Sequence, residues 1–121
     1  MVQPPAAQSQ LPSAPQVLAS LPPKVIAVLL QHGDEKLASG DILSARLYFE
    51  RAGAAGSEEG AMNAGKTYDP EYLAKIDAPG LQADAKRAID WYRIAASTHG
   101  NSEAQKRIDA LTAAGTAAGS R

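Results

Sequence analysis

The sequence predicts an all-α protein, a short α-solenoid of antiparallel helix hairpins, and three observations lead there. Small or apolar residues recur at i, i+3, i+4 and i+7 in five separate segments, the spacing of one helix face. Alanine makes up about a fifth of the chain while aromatics are only 5%, which favours thin, closely packed helices over strands. A capping acid, a small residue, two adjacent aromatics and another small residue recur after 43 positions, the period of stacked helix pairs. No segment alternates with period two, so strands are not predicted.

The elements follow in order. Residues 1–23 (MVQPPAAQSQLPSAPQVLASLPP) offer too little apolar surface to offset the entropy of ordering them. They read as a disordered Pro/Gln/Ala-rich linker, which suggests a part of a longer protein. Met1 is followed by Val2, Gln3 and two prolines, with neither the basic start nor the apolar core of a secretory signal. The folded domain is placed at 24–112. Its first helix carries Ile26, Leu29, Leu30, Gly33 and Leu37. Gly40 then suits a left-handed helix end and Asp41 can accept the free amides of the next first turn, so a tight turn leads to the second helix with Ala45, Tyr48, Phe49 and Ala52.

Ser57 ahead of Glu58 and Glu59 caps a third helix that carries Ala61, Ala64, Gly65 and Tyr68. Pro70 ends it, and Pro79-Gly80 punctuates a longer connection before Asp84 opens the fourth helix. That helix carries Ala88, Trp91, Tyr92 and Ala95. Asn101 caps the last, with Ala104, Ile108 and Leu111 on one face and Arg107 interrupting it. Residues 113–121 mix Ala with Gly and Ser and read as a flexible tail.

The repeat aligns Asp41 with Asp84, Ala45 with Ala88, Tyr48 with Trp91, Phe49 with Tyr92, Ala52 with Ala95 and Ala61 with Ala104. Small residues where helices touch and paired aromatics between them are what hairpins stacked at short interaxial distance need. The reading is about two right-handed repeats closed by a fifth helix. Trp91 and Tyr92 are therefore assigned to packing in preference to a stacking site for a base or sugar.

The stretch Ala61-x-x-x-Gly65-x-x-Tyr68, followed by Gly80, Asp84, Ala88, Trp91-Tyr92, Ala95-Ala96, Gly100 and Ala104, resembles the Sel1-like repeat, a relative of the tetratricopeptide repeat. The earlier hairpin, with Leu29, Gly33, Gly40-Asp41, Ala45, Phe49 and Ala52, resembles a tetratricopeptide unit. The resemblance implies a scaffold for partner proteins or peptides that carries no catalytic residues. It also implies that the first helix of each hairpin lines a concave wall. By that correspondence the partner-binding groove comprises Leu30 and Asp34, then Met62, Lys66 and Asp69, then Gln105 and Asp109.

Composition narrows the alternatives. Twelve Lys and Arg against 13 Asp and Glu give a net charge of −1, with no basic field to gather phosphates, so nucleic acid is not expected as a ligand. The absence of cysteine excludes disulfides, thiolate metal sites and thiol nucleophiles. No run of about 18 apolar residues is present, so this segment is not expected to insert into a membrane. His32 and His99 are the only imidazoles; an enzyme or metal protein would need them to converge with carboxylates. His99 suits the negative end of a helix dipole instead. The acid pairs Asp34-Glu35 and Glu58-Glu59 diverge by about 100° on a helix and read as solvated surface. No catalytic, phosphate-loop or metal motif is present.

The sequence thus predicts a non-catalytic protein-interaction module without cofactor or metal, part of a larger bacterial protein, monomeric or weakly dimeric. Self-association through an open solenoid end is the alternative. Compartment stays open between cytoplasm and periplasm.

Overall fold

In the computed structural model, which describes residues 20–78 and 80–119, the chain forms helices and, among the described residues, no strand. The helices are α1 (Pro23–Ala38), α2 (Ile42–Ala54), α3 (Glu58–Tyr68), α4 (Pro70–Lys75), α5 (Ala85–His99) and α6 (Ser102–Gly119). Most of the expected N-terminal linker lies outside the described residues. The expected tail at 113–121 is helical as far as Gly119, as an Ala-rich stretch allows, and residues 120–121 lie outside the description.

The boundaries are set by side chains that satisfy first-turn amides. Asp41 accepts from Ser44 N at 3.2 Å, Ser57 from Gly60 N at 2.9 Å, Asp84 from Arg87 N at 3.1 Å and Asn101 from Ala104 N at 2.8 Å. Asn101 also donates to Glu58 Oε2 at 2.6 Å, fastening the α5–α6 turn to the start of α3. The short α4 sits inside what the sequence reads as a connection.

Each long helix packs on the next: α1 on α2, α2 on α3, α3 on α5 and α5 on α6, with α4 against α3. The core holds both copies of the repeated stripe. Ala45, Phe49, Ala52, Ala88 and Ala95 are fully buried, and Trp91 is 4% exposed. Tyr48 departs from its counterpart Trp91: it is only half-buried and lies against His32, ring centroids 5.2 Å apart.

Two glycines explain how closely the helices approach. Gly33 of α1 faces the ring of Phe49, and Gly65 of α3 faces the ring of Tyr92; a Cβ on Gly65 would sit 2.7 Å from two ring carbons. Bare backbone under an aromatic ring thus occurs in both halves of the repeat. In α6, Ile108, which stands 43 positions beyond Gly65, is buried at 7% exposure. Between α2 and α3, Arg46 lies 3.7 Å above the Tyr68 ring, donates to Thr67 Oγ1 at 3.1 Å and to the Thr67 carbonyl, while Tyr68 donates to Glu50 at 2.6 Å.

Candidate functional site

The corner between α3 and α4 is built by Asp69 and Pro70. The residue before a proline is pushed out of the helical region, and Asp69 sits at φ −73°, ψ 119°. Its carboxylate is then free to accept the Glu71 amide at 2.9 Å and start α4. The loop leaving α4 returns to the same corner, where Asp84 N donates to the Tyr68 carbonyl at 2.9 Å.

Asp69 is 1% exposed, and a buried carboxylate has to be paired. It is paired by three elements. Besides the Glu71 amide, it accepts the Tyr92 hydroxyl of α5 at 2.7 Å and two nitrogens of Arg107 in α6, Nε at 2.9 Å and Nη2 at 3.0 Å. Arg107 Nη1 also lies 2.7 Å from Glu71 Oε1. This two-pronged grip is the strong geometry for a guanidinium.

The electrostatics follow from burial and partners. Burial, then the hydrogen bond and charge of Asp69, raise the Tyr92 pKa far above the ordinary phenol value. Burial works against the Arg107 charge, but the hydrogen bonds and charge of Asp69, with Glu71, outweigh it and raise its pKa. Tyr72 of α4 is raised by burial and then by the charge of Asp34 in α1.

Around this network lies a cleft of about 320 Å³, lined from α3 by Lys66, from the corner by Asp69, from α4 by Glu71, Tyr72 and Lys75, and from α5 and α6 by Tyr92, Glu103 and Arg107. Residues of both charge signs line it: Lys66, Lys75 and Arg107 with Asp69, Glu71 and Glu103. Of the groove residues the sequence names, Lys66 and Asp69 are brought together here. Asp34 is exposed, and its charge reaches Tyr72. Leu30 packs against the core and Met62 lies within it at 6% exposure. Gln105 and Asp109 are exposed on α6, bonded to each other at 3.0 Å, and neither lines the cleft.

The sequence reading does not include Tyr72, Glu71 and Arg107 among the groove residues. Asp69-Pro70-Glu71 carried the signal for α4, since a capping acid, a proline at the first helical position and an acid in the first turn open helices. Arg107 was visible as the one charge on the apolar face of its helix.

His32 pairs with Glu35 at 3.4 Å on the exposed side of α1, and His99 is the exposed last residue of α5. Among the described residues no group of three or more His, Asp or Glu side chains is placed to hold a metal ion, and no helix is long and apolar enough to cross a membrane. Searches against protein-family models, curated proteins and solved structures found no match to the chain.

Proposed function

We propose that this chain is a non-catalytic protein-interaction module, a short α-solenoid of Sel1-like or tetratricopeptide-like hairpins that holds a partner protein or peptide in the cleft between α3, α4 and α6. The observation that carries this reading is the placement of Lys66 and Asp69 in one cleft with Lys75, Tyr72 and Arg107. Burial of the repeated stripe in both copies except at Tyr48, each with a glycine under an aromatic ring, supports the solenoid. The cleft carboxylate most shielded from water is committed to internal bonds, which suits a fixed recognition surface.

A peptide array probed with the intact protein tests the reading. Peptides retained by the wild type should be bound roughly tenfold more weakly by K66E and by K75E, about 1.4 kcal/mol each, with unchanged melting. An array with no retained peptide, or retention that ignores both variants, overturns it.

A second reading, association with another copy, is favoured by the aliphatic side chains left on α1 and α2: Val25 is 41% exposed, Val28 45% and Leu47 67%. Sedimentation over a wide concentration range distinguishes it, since a monomer at every concentration excludes it.

A further inference from the structure

A second groove, sharing no lining residue with the cleft, runs between the α1–α2 turn and the connection from α4 to α5, with a volume of about 670 Å³. Its walls are aliphatic: Leu37, Ile42 and Leu43 on one side, Ile76 and Leu81 on the other. Leu43 is left 56% exposed, apolar area that a bound side chain would remove from water. Two carboxylates, Asp41 and Asp77, line the same groove, and no Lys, Arg or His does among the described residues.

We infer that this groove docks a short segment of a partner protein that carries a large aliphatic side chain next to lysine or arginine, the aliphatic group seated among Leu37, Leu43, Ile76 and Leu81 and the base set between Asp41 and Asp77.

The two carboxylates come from different elements, so the charge belongs to the groove and not to one helix face. The Asp41 pKa is lowered, chiefly by its hydrogen bonds with Ser44 and to a lesser degree by the nearby Lys36. Asp77 closes α4 in the left-handed region at φ 53°, with Ala78 N donating to Leu73 O at 3.2 Å. Glycine is the ordinary occupant of that position; here an aspartate that lines the groove occupies it. The chain's own residues 1–19 contain no lysine or arginine and lack the complement, and a second copy presenting Lys24-Val25 is the alternative occupant that sedimentation separates from a partner protein. The inference shares with the proposed function only the premise that the chain binds proteins, and it concerns a different surface.

Fluorescence anisotropy with three labelled hexapeptides tests it on the whole chain: Ala-Lys-Leu-Leu-Lys-Ala, Ala-Glu-Leu-Leu-Glu-Ala and Ala-Lys-Ala-Ala-Lys-Ala. The first should bind at least about tenfold more tightly than either of the others. D41N and D77N should each weaken it about fivefold, as loss of one exposed ion pair does. Asparagine keeps both the cap and the tolerance of left-handed backbone, so folding survives. L43S should weaken it as well, while K66E, which tests the other cleft, should leave it unchanged. No saturable binding of the first peptide, equal binding of the acidic one, or indifference to D41N and D77N overturns the inference. So does a wild-type dimer in sedimentation that L43S converts to monomer.

Discussion

Arg107 reaches across 38 positions of chain to grip Asp69 with two nitrogens, Nε at 2.9 Å and Nη2 at 3.0 Å. The pair joins α6 to the corner where α3 ends and α4 begins, so one carboxylate fixes the relative placement of three helices. Asp69→Ala should therefore destabilise the fold by about 3 kcal/mol, because it strips the α4 cap, leaves the Tyr92 hydroxyl without its acceptor and leaves Arg107 held by Glu71 alone. Asp69→Asn, which keeps a cap, should cost less. Urea denaturation checks both, and equal stability of Asp69→Ala and wild type would refute the assignment.

The same network sets a limit at high pH. Tyr92 is raised far above its unfolded value near 10, and Tyr68 is pushed up to about 12 by burial and by Glu50. A raised pKa means that the folded state holds the phenol proton where the unfolded state has released it, so this stabilisation is fully present below about pH 10 and is lost as pH rises further. Stability measured between about pH 9 and 12 should fall, and Tyr92→Phe should fall less steeply over that window. A steeper fall in the variant would contradict the burial of this hydroxyl.

Alanine should act oppositely at two helical glycines. Gly65→Ala gains about 1 kcal/mol of helix propensity but drives its Cβ to 2.7 Å from the Tyr92 ring, and overpacking of this kind costs about 1–3 kcal/mol. Net destabilisation is the outcome. Gly115→Ala meets nothing within 4 Å and should stabilise by up to about 1 kcal/mol. Thermal melts of the two variants check the contrast.

Ala88→Glu should prevent folding, because Ala88 is fully buried between helices and an unpaired charge there has no partner. Lys66→Glu, at the cleft mouth, should melt like the wild type. Circular dichroism against temperature distinguishes them, and the reverse order would overturn the assignment of helix faces.

The helical faces and most helix boundaries were legible because they rest on local chemistry. Asp41, Ser57, Asp84 and Asn101 each bond the amides that their positions imply. Ala88, Trp91, Tyr92 and Ala95 lie on one face by spacing alone and are buried together. The site was less legible, since it depends on partners far apart in sequence. Asp69 is assigned to a groove by the resemblance to helical repeats, yet its burial follows from Tyr92 and Arg107, 23 and 38 positions away. The six residues of α4 are too few to display a period, so Tyr72 and its approach to Asp34 were not visible.

Ile108 stands 43 positions after Gly65, which leaves open backbone beneath the Tyr92 ring. An aromatic from any following helix, arriving at the same register, would meet a branched aliphatic instead of open backbone. Grafting a further helix onto α6 would accordingly call for a small residue at 108, and would forfeit the filling that Ile108 supplies where it is.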